Sequence, residues 1–525
     1  MSIGPIQLFF LLLVAATGLA YLARRFGVAY PIMLVLGGLV LGFVPNLPRV
    51  EIDPDLVFLL LLPPVLFGAG FSTPIRELKA NRRPIALLAI GLVLFTTVVV
   101  AVVAHALVPN LDWGPAFALG AIVAPPDAAA ATAIFRRLGV PRRVVAILEG
   151  ESLLNDAAAL VVYRFAIAAT LTGSFSLVAA PVQFLAVAAG GIVVGGVVGL
   201  VVTEAWRRTT VSNLEIAVSL IAPFAAYLPA ELLGVSGVLS AVVAGVIAGR
   251  RSPRVLSAEA RLLGQGVWDI VIFLINGAVF ILIGLSLPVI IDALGSDRLP
   301  GALALGLVMS LTVILARFAW VFPATYIPRW VSSKIRQADP APPPNAVFVI
   351  AWAGMRGAVS LAAALALPIE PEPFPERDLI IFLVFCVILA TLVGQGLTLA
   401  PLVRRLGVTG PGAGRSDEEV EARAAATSAA VEELDRLELR FPTHMPLIEQ
   451  LRDRFDHEAS HATTDGERPP DESEQELIEH RQIRRGVIDA EREAVIRLRD
   501  EGTINDDTLR RIERDLDLEE LRMEA

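Results

Sequence analysis

The segment Gly150-Glu151-Ser152-Leu153-Leu154-Asn155-Asp156 places four oxygen-bearing side chains within six positions. On a helix, Glu151 and Asn155 share one face, and Ser152 and Asp156 share the adjacent one. A helix side so dense in hard oxygen donors suits a small cation rather than a soft metal. No His or Cys stands nearby to build a zinc or copper site, and His105 is the only His before residue 413. Proton handling therefore falls to carboxylates. An aspartic acid ionises near pH ~3.9 in water; burial raises that value, and a bound cation lowers it again. One carboxylate can then hold a proton or a cation, but not both well. That competition is enough for exchange if the site faces each side in turn.

The elements that hold these residues are set by composition. The chain has 525 residues, of which 55% are apolar and 18% charged, and its mean hydropathy is +0.65. Its net charge of -9 hides a split. Residues 1–412 carry 27 Lys/Arg and 21 Asp/Glu, a balance of +6, whereas residues 413–525 carry 17 and 32, a balance of -15. A mildly basic, strongly apolar block followed by an acidic polar one describes a membrane protein with a soluble tail. It excludes an ordinary globular enzyme, and the acidic tail argues against a nucleic-acid partner. The lone Cys386 excludes a disulfide framework and a Cys-based metal site.

A bilayer-crossing helix needs about 20 apolar residues. Thirteen such runs are read, some interrupted: 5–23, 29–45, 54–72, 84–107, 113–134, 144–170, 178–204, 213–232, 235–249, 267–290, 300–328, 345–367 and 378–402. The first has no basic residue before it and Arg24-Arg25 after it, the pattern of a retained anchor rather than a cleaved signal. Loops after odd-numbered runs hold 21 Lys/Arg, and those after even-numbered runs hold three. Basic loops mark the cytoplasmic side. The N-terminus is therefore expected outside and the tail inside. Thirteen spans divide as six, a linker and six, with halves of opposite topology, which is a transporter architecture. The fifth run of each half is interrupted, by Pro125-Pro126-Asp127 and by Gly354-Met355-Arg356-Gly357. Matching breaks point to a site at the membrane midplane. Two units follow: a membrane domain over 1–410 and an acidic helical tail over 411–525. In the tail, 417–440, 474–500 and 506–522 have helical apolar spacing, and 460–473 reads as a linker.

Six ionisable residues lie deep in the runs: Asp127, Glu151, Asp156, Arg164, Arg317 and Arg356. Each is costly in lipid and so a functional candidate. Asp127, Asp156 and Arg356 fall closest to the centres of their runs. The bland alternative makes Glu151 and Asp156 counter-charges for Arg356 or Arg317. Asp127 follows a break, so it reads either as part of a cation cage or as the N-cap of the second half-helix. Arg356 reads as neutralising an acid, and Arg164 and Arg317 as structural or snorkelling. Trp206 and Trp330 read as interfacial anchors. The Gly-rich run 185–200 reads as close helix packing rather than a phosphate loop.

Ile134-Phe135-Arg136-Arg137-Leu138-Gly139-Val140-Pro141, Leu148-Glu149-Gly150 through Asp156, and Gly354-Met355-Arg356-Gly357-Ala358-Val359-Ser360-Leu361-Ala362 occur in that order. Together they closely resemble the NhaP-type bacterial sodium/proton exchangers of the first monovalent cation:proton antiporter family. Phe273-Leu274-Ile275-Asn276-Gly277 and Ile283-Gly284-Leu285 resemble it too. The likeness covers roughly residues 1–410, and the tail is similar to that of longer bacterial members. It implies a homodimer in the cell membrane, needing no cofactor, whose protomers cross two broken helices. Asp156 is then the carboxylate that binds the transported Na+ or the proton. Asn155 is its neighbour, Ser152 a further ligand, and Glu151 pairs with Arg356. An Asn at 155 is the family's usual mark of electroneutral exchange. Two departures bear on selectivity: Pro126-Asp127-Ala128 lacks the family's frequent Thr before the Asp, although Thr132 follows, and Gly68 stands where many members carry Glu.

The expectation is an all-α multi-span membrane protein: thirteen transmembrane helices with inverted repeats, two crossing broken helices and a helical cytoplasmic tail. It is expected to exchange Na+, or Li+, for H+ by alternating access. A potassium/proton exchanger on the same scaffold is the first rival. An intramembrane hydrolase fails for want of a nucleophile–base pair. A membrane sensor whose tail is the output is the third reading, and the tail has no recognisable catalytic cluster.

Overall fold

The computed structural model describes residues 5–44, 57–173, 179–295, 297–369, 373–408, 417–464, 485–498, 501, 512, 516 and 518–520. The chain divides into two compact units, Met1–Gly412 and Ala413–Ala525.

Backbone amides and carbonyls have no water partners in lipid, so apolar runs must satisfy them internally as helices. The first unit accordingly contains α1 (Pro5–Phe26), α2 (Tyr30–Gly42), α3 (Leu62–Ser72) and α4 (Arg82–Leu107). The fifth run is two half-helices, α5a (Trp113–Val123) and α5b (Ala128–Leu138). Then come α6 (Arg142–Thr172), α7 (Ala179–Arg208), α8 (Ser212–Leu232), α9 (Gly237–Val255), α10 (Ala258–Leu285) and α11 (Leu299–Val331). The twelfth run is again halved, as α12a (Pro344–Trp352) and α12b (Ala358–Leu365), before α13 (Arg377–Leu406). Every apolar run thus holds helix. Among the described residues, eight helices are long and apolar enough to cross a membrane.

Ends and breaks follow local chemistry. Gly139 and Gly173 stop α5b and α6 in the left-handed region, at φ of 64° and 65°, where a Cβ would be strained. Ser236 and Ser257 cap α9 and α10 by accepting the amides of Leu239 and Ala260, both at 3.2 Å. At the fifth run, Pro125 and Pro126 supply no backbone donors, so the helix cannot continue through them.

Small residues set the closest helix approaches. Along α7, Gly191 and Gly195 lie against the backbone of Ser236 and Ser240, and Gly199 against Ala244. This stripe of three glycines, each four residues from the next, lets α7 and α9 touch backbone to backbone. The other side of α9 meets α3 in the same way, with Gly245 and Gly249 against the carbonyls of Phe67 and Phe71. Trp206 is fully buried and donates its indole N–H to the Glu215 carbonyl at 3.0 Å. It is a core residue, not an interfacial anchor, because its ring fills the gap between α7 and α8. Trp330 is 82% exposed.

In the second unit, α14 (Asp417–Arg440) and α15 (Met445–Thr464) form a helical pair. Leu434 and Ile448 are buried, and Arg452 reaches Asp435 at 2.6 Å and Glu438 at 3.1 Å. Residues 485–498 are also helical. Most of the linker expected at 460–473, and parts of the helices expected at 474–500 and 506–522, lie outside the described residues.

The glycine stripe yields a controlled test. Gly195→Val should lower stability by about 1–3 kcal/mol, the usual effect of overpacking, read as an earlier unfolding midpoint in detergent. Gly196→Val points into open space and should leave the midpoint unchanged. Equal midpoints for both would contradict the close approach.

Candidate functional site

The two breaks meet. The Asp127 amide donates to the Met355 carbonyl at 2.7 Å, joining the break after α5a to the break after α12a. Four half-helix ends therefore converge: two present bare carbonyls and two present bare amides.

The carbonyl ends are each taken by an arginine. Arg356, 1% exposed, donates through Nε to Val123 O at 3.0 Å and through Nη2 to Ala124 O at 3.4 Å. Its Nη1 donates to Gly354 O. Thus Arg356 caps the end of α5a. Its own amide donates to Thr391 Oγ1 on α13 at 3.2 Å. Arg317 of α11, with no exposed surface, donates to Ile350 O from Nε at 3.3 Å and Nη2 at 3.1 Å, capping the end of α12a. It also makes a bidentate pair with Glu151, at 2.5 and 2.9 Å.

The expected pair of Glu151 with Arg356 is therefore corrected: Glu151 pairs with Arg317. The reason is that the Arg356 guanidinium is committed to carbonyls that the broken helix leaves without amide partners. Arg317 is not snorkelling, since it is sealed inside the protein. The glycines make room for these contacts. A Cβ at Gly354 would run into the Arg317 side chain, and one at Gly357 into the Asp127 carboxylate.

The amide end of α5b is held by oxygen. Asp127 Oδ1 accepts the Ala129 amide at 2.8 Å, and Ser152 Oγ accepts the Ala128 amide at 3.3 Å. Asn155 Nδ2 donates to the Pro126 carbonyl at 2.7 Å, using the acceptor nearest the second proline. Asn155 Oδ1 is buried without a partner.

A cavity of about 970 Å³ opens onto this crossing. Asp127, Thr132, Ser152, Asp156, Gly357 and Ser360 line its inner end. Its other end is lined by Arg136, Glu149, Ser252, Arg261 and Gln265, beside the loops rich in basic residues. Arg136 pairs with Glu149 there at 3.0 Å. The two stripes of α6 separate cleanly. Ser152 and Asp156 face the cavity, while Glu151 and Asn155 are fully buried and brace the breaks. Asn155 thus stands behind the wall rather than on it. Thr132 donates its hydroxyl to Ala128 O at 2.9 Å, leaving oxygen lone pairs toward the cavity. Gly68 lines the opposite wall, and a Cβ there would contact Ile272 and Trp268 at 3.4–3.7 Å.

Asp156 also borders a second pocket of only about 10 Å³, with Leu160, Tyr163, Val359 and Ala363. The Tyr163 hydroxyl donates to Ala363 O at 2.8 Å. One carboxylate thus sits between a wide opening and a nearly filled one. Sequence reasoning undervalued Arg317 and did not find Thr391 or Tyr163. Arg317 lies near the middle of its run, and that depth was the available signal.

The family described as sodium/hydrogen exchanger, transmembrane, matches residues 10–405. An uncharacterized Na(+)/H(+) exchanger of Mycobacterium tuberculosis is 36% identical over 515 residues, covering 96% of this chain and 93% of that protein. The sodium, potassium, lithium and rubidium/H(+) antiporter of Bacillus subtilis is 34% identical over 398 residues, covering 73% of this chain and 59% of its own length. Among solved structures, the sodium proton antiporter MjNhaP1 from Methanocaldococcus jannaschii at pH 8 aligns with a TM-score of 0.62 at 20% identity. That alignment covers 76% of this chain and 98% of the other, and it is a likeness of fold.

The corrected ion pair can be tested directly. Glu151→Leu leaves Arg317 buried and unpaired, and should cost about 3–5 kcal/mol of stability. Adding Arg317→Met should recover most of that loss in detergent unfolding, whereas adding Arg356→Met should not. Recovery by Arg356→Met instead would restore the sequence-based pairing.

Proposed function

The chain belongs to the sodium/hydrogen exchanger family, and on that premise we propose that the crossing of its two broken helices carries the exchange, with Asp156 holding either ion. The chain is a secondary antiporter that exchanges a sodium ion for a proton across the membrane; it is not an enzyme. The observation that carries the site assignment is that Asp156 borders both a wide cavity and a nearly filled pocket. A cation entering the wide side meets Asp156, with Ser152, Asp127 and Ser360 beside it. Loss of the proton and arrival of the cation occur at the same oxygens, so the two ions displace each other. Asn155 acts by holding the Pro126 carbonyl, and so the break itself, in place.

Charge balance supports a one-for-one exchange. Around the crossing stand two cations, Arg317 and Arg356, and three acids, Glu151, Asp127 and Asp156. With all five charged the cluster is one positive charge short. Either a proton or a monovalent cation on Asp156 supplies it, so the loaded site has the same charge in both halves of the cycle. Burial in a low-dielectric surrounding penalises any other count. The exchange is therefore electroneutral.

The finer reading continues from the sequence. The chain makes thirteen crossings as two inverted sets of six around a linker, lies in the cell membrane, and keeps its N-terminus outside and its tail in the cytoplasm. The wide cavity then opens to the cytoplasm, because Arg136 in the last turn of α5b and Arg261 in the first turn of α10 adjoin the basic loops. A homodimer is the working assembly, and the acidic unit from residue 411 is a regulatory appendage. Lithium fits the same hard-oxygen site. Potassium is the competing substrate, because Gly68 adds no carboxylate at a position of the cavity wall where a Glu would supply one more.

In inverted vesicles with an imposed pH gradient, sodium should collapse the gradient in the wild type and Asp156→Asn should abolish that response. Lithium and potassium in parallel rank the selectivity. An Asp156→Asn protein with full exchange would overturn the assignment. Exchange rates that follow an imposed membrane voltage would overturn electroneutrality.

A further inference from the structure

Helices α6 and α8 run in the same direction, and they are treated very differently at their two ends. Near their starts they form facing walls of the wide cavity, through Glu149, Ser152 and Asp156 on α6 and Glu215 and Ser219 on α8. At the level of Asp156 and just past it, Leu153 and Ala157 of α6 pack in one apolar cluster with Tyr227 of α8, Val238 of α9, and Leu62 and Leu66 of α3; Leu62, Leu66 and Leu153 face the cavity, and Ala157, Tyr227 and Val238 are outside its lining. This cluster is the floor of the cavity. Beyond the floor, Arg164 Nη2 of α6 meets Glu231 Oε2 at the end of α8, at 2.8 Å. The other Glu231 oxygen, Oε1, accepts the Gly237 amide at 3.1 Å at the start of α9. At 1.5 Å per residue, Arg164 lies about 12 Å past Asp156, on the closed side.

We propose that the Arg164–Glu231 ion pair is an outer latch, which holds the cytoplasm-facing state closed on its far side and must part for the site to open outward. This rests on the antiport reading and its orientation. The geometry is that of a clamp: two walls splayed by a cavity at one end, sealed by an apolar layer in the middle, and tied by charge at the other. Opening the closed side requires the α6 and α8 ends to separate, and that separation breaks this contact. The pair is suited to repeated opening. Arg164 is 50% exposed and Glu231 26% exposed, so their charges are rehydrated when they part and no buried charge is stranded. The fully buried Glu151–Arg317 pair has the opposite character and stays closed throughout. Arg164 and Glu231 are positioning residues, since neither lines either pocket at Asp156.

Because the pair is partly exposed, its loss should shift the balance of states about two- to fivefold. The test uses the full-length protein in vesicles of both orientations, with the half-saturating sodium concentration measured at each face. Arg164→Gln and Glu231→Gln should each raise that concentration at the cytoplasmic face and lower it at the outer face. The paired swap Arg164→Glu with Glu231→Arg should return both toward wild type. Shifts of the same sign at both faces, or a fall in maximal rate alone, would mean a merely structural contact and overturn the latch. Unchanged values in both single variants would overturn it equally. A second arm does not depend on the single variants inserting. With Cys386→Ser as background, Arg164→Cys and Glu231→Cys joined by a short bifunctional thiol reagent should stop exchange until the link is cleaved. Continued exchange in the linked protein would refute the proposal. Absence of exchange in the wild type itself would strike the antiport reading instead, which keeps the two failures apart.

Discussion

The constraint on which this structure depends is that two helices are broken inside the membrane, where no water is available to receive the freed backbone groups. Each break exposes carbonyls at one half-helix end and amides at the other, and each group left alone costs several kcal/mol. The chain answers with full-length charges placed at those ends. Arg356 takes the carbonyls that end α5a, and Arg317 takes the carbonyl that ends α12a. Asp127 and Ser152 take amides at the start of α5b. Glu151 is then needed because Arg317 is sealed from solvent. Much of the buried polar inventory thus follows from keeping two interrupted helices stable.

From that framework one carboxylate stands apart. Glu151 is fixed by Arg317, and Asp127 is partly committed to an amide, but Asp156 faces open space on one side and a nearly filled pocket on the other. It is the acid whose company is not already supplied by the fold. In the exchange proposed above a cation or a proton completes it, and because each carries one positive charge the total is the same in either case. The site is thus a by-product of the breaks: the devices that pay for them also set the charge that the transported ion must match.

Much of this was legible in the sequence, and the reasons are particular. Spans follow from apolar runs because lipid leaves helix as the available solution. The breaks were visible because Pro125 and Pro126 lack amide protons, and because Gly354 and Gly357 flank a charge at mid-membrane depth. The four-residue spacing on α6 separated two stripes, and the structure gives them distinct duties. What the sequence could not carry was pairing between distant helices. Arg317 and Glu151 are far apart along the chain, and nothing in spacing tells which of two central arginines reaches which acid. The resemblance favoured Arg356, which the backbone carbonyls had already claimed. Trp206 misled for a similar reason: its place at a helix end suggested an interface, whereas packing between α7 and α8 buries it.

The central claim is that the same oxygens of Asp156 hold the proton and the cation by turns. The most direct measurement is proton release from the purified protein in weakly buffered detergent solution when sodium is added. One proton should be released per sodium bound in the wild type and none from Asp156→Asn, with the fold intact. Sodium binding that releases a proton just as well from the Asp156→Asn protein would contradict it.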